Sequence, residues 1–170
     1  MYNEALQNPR VIVIQKLYAH HLNKNSEITF PKHRYKKFIK DVINGTIKRK
    51  ELIQNLMDKE LKDDINENKT ELMIKLMIMA AIYEFMFMHK TPIKVVISEY
   101  LKVSDFFAER PQQNFLNAIL DKVSKVSRSK DKWILIKKFI QYDKIMRYIH
   151  NSLLKIFVAF YDFFWQFSFF

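Results

Sequence analysis

The chain has 170 residues, with no Cys and a single Gly, and carries a formal net charge of +11. This length suits one compact domain with at most a small addition, and an apolar share of 49% supplies enough side chains for a core. The absence of Cys excludes disulfides and Cys-ligated zinc, and the single Gly excludes Gly-rich phosphate-binding loops. The positive charge indicates a negative partner, which is a nucleic acid, an anionic lipid or an acidic protein.

Apolar residues recur at helical spacing in six successive segments. In chain order, the predicted helices carry Val11 to Leu22 (within about residues 5–22), Tyr35 to Ile43, Leu52 to Leu61, Leu72 to Met88, Ile93 to Leu101 and Phe115 to Val123. Gly45 stands where a helix C-cap is expected, and Thr70 is predicted as the N-cap of the fourth helix. Pro92 and Pro111 are predicted to open the fifth and sixth helices. No segment alternates long enough to predict a strand, so the fold class is all-α.

The fourth predicted helix, Leu72 to Met88, is apolar on nearly every face. Only Lys75 and Glu84 interrupt it. A membrane-spanning helix needs about 20 apolar residues with few charges, and this segment is shorter and carries two. We therefore predict a central helix that is buried in the protein.

A change of character near residues 127–132 predicts two parts, residues 1–126 and 127–170. The second part holds eight Lys or Arg and three Asp, so its charge is 8 − 3 = +5, which leaves 11 − 5 = +6 for the first. Its last 18 residues are rich in Phe, Tyr and Trp. Three interpretations of this tail stay open: a weak membrane contact, extra helices docked on the domain, or a chance extension of the reading frame.

Five segments occur in the order and spacing of a known family. They are residues 14–18, 38–45, 83–85, 92–100 and 115–122, which resemble VQALY, F-x-x-L-L-x-G, YEL, PxKVAINEA and FVNGVLDK of the NusB family. The resemblance covers about residues 9–125. This chain departs from the pattern at its N-terminus, because the family is Arg-rich there and only Arg10 stands in Gln7-Asn8-Pro9-Arg10.

The resemblance implies a compact bundle of about six to seven helices in two packed subdomains, to which this chain adds its tail. It also implies binding of boxA, an element of nascent RNA, together with NusE, a small-subunit ribosomal protein that doubles as a transcription factor. Their complex joins an antitermination assembly on RNA polymerase, chiefly on ribosomal RNA operons, in the bacterial cytoplasm. The sequence leaves both a monomer and a homodimer open.

Four residues are candidates for RNA contact. Arg10 and Lys16 lie near the end at which the family's arginines touch RNA. Phe115 matches a family aromatic near the RNA face, where a ring that stacks on an unpaired base contributes about 1–3 kcal/mol. The alternative is a core Phe, because Phe115 shares a stripe with Ile119. Asn117 is predicted to bond an RNA or partner edge, or else a nearby backbone group.

Four further residues are candidates for partner contact. Tyr83 and Glu84 flank or interrupt the apolar helix, where a buried structural hydrogen bond is the alternative to a ligand contact. Glu99 belongs either to the NusE surface or to the contact between subdomains. Asp121 is either a partner contact or an exposed helix end.

Basic residues are dense on and before the second helix and again beyond its end. They are Lys32, Arg34, Lys36, Lys37, Lys40, Lys48, Arg49 and Lys50. Interleaved with Tyr35 and Phe38, they resemble a nucleic-acid face, because lysines attract phosphates. The alternative is a solvated helix face.

No residue pattern indicates catalysis, so no enzyme activity, cofactor or metal site is predicted. His20 and His21 are adjacent, point about 100° apart on a helix and lack a third ligand at helical spacing. Rival functions are an RNA-targeting module like the one fused to ribosomal RNA cytosine methyltransferases, a membrane-associated helical protein, and an adaptor that binds only protein.

Overall fold

A computed structural model describes residues 7–23, 27–61 and 70–127. These ranges hold six helices and no strand: α1 (Pro9–Leu22), α2 (Lys36–Lys48), α3 (Lys50–Glu60), α4 (Leu72–Phe87), α5 (Ile93–Ser104) and α6 (Arg110–Ser127). The predicted all-α class and helix order are confirmed. The predicted tail, residues 127–170, lies outside the described residues except for Ser127.

The helices form two groups that share α4. Helix α2 contacts α1 and α3, and α5 contacts α6. Helix α4 contacts all five of the other described helices. Twelve of the sixteen residues of α4 are buried, including the run from Leu76 to Met86. A helix that is apolar all round must be covered on every side, so α4 forms the centre of the core as predicted.

Local signals fix several helix ends. Asn8 caps α1, because its side-chain oxygen accepts from the backbone N–H of Arg10 at 2.9 Å, and Pro9 takes the first helical position. Pro92 precedes the first residue of α5, as predicted. Thr70 was predicted to cap α4, which was wrong: Glu71 precedes Leu72 and its side chain makes no cap hydrogen bond.

The predicted C-cap at Gly45 was also wrong. Helix α2 runs through Gly45 to Lys48, and Gly45 has no positive φ. The ring of Tyr83 on α4 lies against this position, where a Cβ would overlap Cζ, Cε2 and Oη of that ring. Gly45 therefore permits close approach of α2 and α4 and does not end a helix.

Within the described ranges, no helix combines the length and apolarity needed to cross a lipid bilayer.

Candidate functional site

A buried ion pair joins the start of α1 to the last turn of α4. Arg10 donates from Nε to Oε1 of Glu84 at 2.9 Å and from Nη2 to Oε2 at 2.7 Å. The arginine side chain is 9% exposed and the glutamate side chain is fully buried. Two parallel charge-assisted hydrogen bonds fix the orientation of both groups, so this pair determines where the N-terminal end of α1 sits.

Three further side chains complete what we call the Arg10 cluster. The Tyr100 hydroxyl on α5 donates to Oε1 of Glu84 at 2.9 Å. The guanidinium carbon of Arg10 lies 4.8 Å from the ring centroid of Phe38, and Nη1 lies 3.8 Å from Oε2 of Glu99. The cluster thus ties α1, α2, α4 and α5 together at one point, with the charges satisfied inside the protein.

Arg10 and Tyr100 each keep one protonation state at neutral pH. Burial and the charge of Glu84 raise the pKa of Tyr100 well above its usual value, so the hydroxyl stays a donor. Burial by itself lowers the pKa of Arg10, but the hydrogen bond and charge of Glu84 outweigh it and the pKa is raised. The guanidinium therefore remains a cation that is already paired.

The predicted site residues divide among three places. Arg10, Glu84 and Glu99 come together in the Arg10 cluster, with Glu99 also accepting from Lys102 Nζ at 2.8 Å. Glu84 makes buried hydrogen bonds to Arg10 and Tyr100. Glu99, on α5, faces Arg10 of α1. Tyr83 points about 100° away from Glu84 around α4 and lines the groove described below.

The remaining candidates lie on α1 and α6. Lys16 is half-buried, and its Nζ donates to Oγ1 of Thr29 at 3.3 Å. Phe115 is half-buried, whereas Asn117 is exposed. Asp121 is exposed one turn beyond Asn117 and accepts from Lys125 at 2.6 Å. Because residues four apart share a helix face, Asn117 and Asp121 present one polar surface to solvent.

A basic and aromatic groove lies between the end of α2 and the end of α4. Its volume is about 640 Å³, and its lining includes Lys48, Arg49, Tyr83, Phe87 and Lys90. The rings of Tyr83 and Phe87 stack with centroids 5.2 Å apart. The guanidinium carbon of Arg49 lies 4.4 Å from the Phe87 centroid. We call this site the α2–α4 groove.

Sequence reasoning missed the groove residues Phe87 and Lys90. The only available signals were the basic run at Lys48-Arg49-Lys50 and the spacing of four between Tyr83 and Phe87. Neither signal shows that the two helix ends meet.

Comparison with known proteins settles the family. The model of the NusB family matches residues 7–125, which is well over half of the chain. The chain belongs to the NusB family. The transcription antitermination protein NusB of Rickettsia massiliae is 26% identical over 135 residues, covering 74% of this chain and 84% of the relative. That of Bradyrhizobium diazoefficiens is 28% identical over 91 residues, so the chain spans about half (55%) of its length.

A solved structure supports the same fold. T. maritima NusB superimposes with a TM-score of 0.63 at 22% identity, covering 75% of this chain and 95% of that one. The NusB segments recognised in the sequence supply the central contacts of the structure: residues 83–85 hold Tyr83 and Glu84, and residues 92–100 hold Glu99 and Tyr100.

Proposed function

We propose that this chain is a non-enzymatic transcription antitermination factor of the cytoplasm. In this proposal it binds boxA-type single-stranded RNA together with NusE, and the complex joins RNA polymerase to promote read-through on ribosomal RNA operons. The observation that carries the proposal is the family match over residues 7–125. The charge of +11 supports it, because a phosphate backbone is attracted to a basic protein.

The RNA surface is proposed to include Lys16, Phe115 and Asn117. Phe115 is half-buried, so part of its ring is available to a base. Asn117 is exposed with both donor and acceptor groups, and lies about 160° from Phe115 around α6. Arg10 is assigned a different part: its guanidinium is held by Glu84, so we propose that it positions the start of α1, the helix that carries Lys16.

The partner surface is proposed to include the exposed carboxylate of Asp121 and the half-buried Glu99. Each is paired with a lysine of its own helix, Asp121 with Lys125 and Glu99 with Lys102. The Asp121–Lys125 pair is exposed and contributes little to stability, so the charge of Asp121 can be exchanged for a basic partner at small cost. Glu84 supports this surface from inside the fold, through Arg10, which it shares with Glu99.

The test is RNA binding by the full chain, with and without NusE from the same organism, to a boxA RNA and a scrambled control. Preference for boxA that increases when NusE is added is expected. Phe115→Ala should weaken boxA binding about 5-fold or more, as the loss of one stacked base implies. Phe106→Ala is the matched control, because Phe106 is 38% exposed on the turn after α5. Equal, salt-labile binding to both RNAs, with or without NusE, would contradict the proposal.

A further inference from the structure

The α2–α4 groove combines the two features that bind single-stranded nucleic acid, which are a flat stacking surface and cations for the phosphates. Arg49, in the turn between α2 and α3, is half-exposed, and its guanidinium rests over the Phe87 ring at 4.4 Å and near the Tyr83 ring at 5.8 Å. Lys48 and Lys90, both exposed, stand at the end of α2 and just beyond the end of α4. No assigned function uses these residues.

The geometry of the stack is determined by Gly45. Because this position has no Cβ, the Tyr83 ring lies directly on α2, and Phe87 stacks on Tyr83 with an interplanar angle of 30°. Arg49 then covers Phe87. A guanidinium that is already placed over a ring loses little side-chain freedom when a base stacks on its outer side.

A basic face of α2 leads to the groove. Lys37, Asp41, Asn44 and Lys48 lie within about 60° of one another around the helix axis, and Lys40 borders them. All three lysines are exposed. From Lys37 to Lys48 this face extends about 16 Å along the helix, with Asp41 as its one acidic member. Its charge therefore attracts a backbone of phosphates toward the groove.

We propose that the α2–α4 groove binds one unpaired nucleotide of single-stranded RNA, with the base stacked on the guanidinium of Arg49 and the flanking phosphates held by Lys48 and Lys90. This site is separate from the surface of Phe115 and Asn117, and the inference rests on the proposed RNA-binding function. An acidic protein segment would use the lysines but would gain nothing from the Tyr83–Phe87–Arg49 stack, so RNA is the favoured ligand.

The test uses the full chain and single-stranded RNAs of about 12 nucleotides, with the boxA sequence and a scrambled one, at about 50 mM and about 200 mM salt. Arg49→Lys keeps the positive charge and removes the planar guanidinium on which the base would stack. We expect it to weaken binding of both RNAs about 5-fold or more while leaving the salt dependence unchanged. The matched control is Arg110→Lys, because Arg110 is exposed at the start of α6, outside the groove and outside the basic run around α2. It should bind as the parent does.

The lysines are tested separately by salt dependence. Lys48→Gln/Lys90→Gln should reduce the slope of log affinity against log salt by about 1.4, since each lost phosphate contact with a single strand removes about 0.7. Lys59→Gln, an exposed lysine on α3, is the control and should leave affinity and slope nearly unchanged. Circular dichroism of each variant confirms that the helices are retained.

The outcomes separate this inference from the proposed function. Parent-like binding by both groove variants, or equal losses in Arg110→Lys and Arg49→Lys, overturns the inference even when boxA is preferred. Weaker binding by the groove variants without any boxA preference supports the groove and contradicts the proposed function. Unchanged RNA affinity with weaker binding of an acidic peptide would assign the groove to protein. A chain that binds neither RNA refutes both.

Discussion

Removal of the Arg10 side chain should destabilise the protein by several kilocalories per mole. In Arg10→Ala the Glu84 carboxylate stays fully buried and loses its two guanidinium donors at 2.9 and 2.7 Å, and among the described residues it keeps the Tyr100 hydroxyl as its one side-chain donor. Breaking one side of a buried ion pair costs about 3–5 kcal/mol. The free energy of unfolding of a domain is about 5–15 kcal/mol. Over most of that range, the loss is a third or more of the free energy of unfolding.

The assay is thermal and urea unfolding followed by circular dichroism. For a chain of this size about 1 kcal/mol shifts Tm by about 2–4 °C, so Arg10→Ala should lower Tm by about 6–20 °C. Lys125→Ala is the control: it breaks a pair of 2.6 Å whose side chains are 72% and 58% exposed, and should cost less than about 1 kcal/mol. Arg10→Met/Glu84→Leu removes both charges and should be more stable than Arg10→Ala, although the Tyr100 hydroxyl loses its acceptor and part of the loss remains.

The same variants separate the two roles considered for Arg10. If Arg10 positions α1, the stable double variant should bind boxA RNA nearly as the parent does. A loss in Arg10→Ala below about 1 kcal/mol would refute the structural reasoning. In that case, weaker RNA binding by both variants would identify Arg10 as an RNA contact.

Three further perturbations test the core. Tyr100→Phe should lower the free energy of unfolding by about 1.5–3 kcal/mol, as expected for the loss of a buried hydrogen bond to a charged group. Because the pKa of Tyr100 is raised in the folded protein, the parent should lose stability above about pH 10, where the hydroxyl of the unfolded chain ionises first. In urea unfolding across that pH range, the variant should lose less stability than the parent. In Gly45→Ala, overlap with the Tyr83 ring should cost about 1–3 kcal/mol of stability, of which about 1 kcal/mol is offset by the higher helix propensity of Ala. In a Tyr83→Leu background, the same substitution should stabilise the protein by about 1 kcal/mol. Additivity in this double-mutant cycle would contradict the contact. Thr46→Val should raise the free energy of unfolding by about 1 kcal/mol, because Oγ1 is buried without a partner among the described residues, and a loss of stability would indicate that the hydroxyl is bonded.

The helices could be predicted because their signals are local. Each of α2, α5 and α6 buries one stripe at a spacing of three to four residues, which the sequence displays directly. Helix α4 was equally plain, since a segment apolar on every face and too short for a membrane has to be covered by protein.

What could not be predicted depends on contacts between distant residues. A glycine after an apolar helical pattern usually marks a helix end, but the role of Gly45 is determined by its contact with Tyr83. Tyr83 lies 38 positions later, and no rule of sequence spacing predicts such a contact. The bond between Arg10 and Glu84 spans 74 positions, so the family resemblance suggested RNA contact for a residue that the fold holds inside. The stack of Arg49 on Phe87 was hidden for the same reason.

The central position of α4 has a consequence for synthesis of the chain. Helices α1 to α3 are complete by Glu60, but the helix that covers their apolar faces ends only at Phe87. At about 5–20 residues per second, those 27 residues take about 1–5 s to add. During that interval the nascent first half exposes side chains such as Val13, Ile39 and Ile53, which are fully buried in the finished fold. Chaperones that recognise apolar segments should therefore engage this protein chiefly before α4 has emerged from the ribosome.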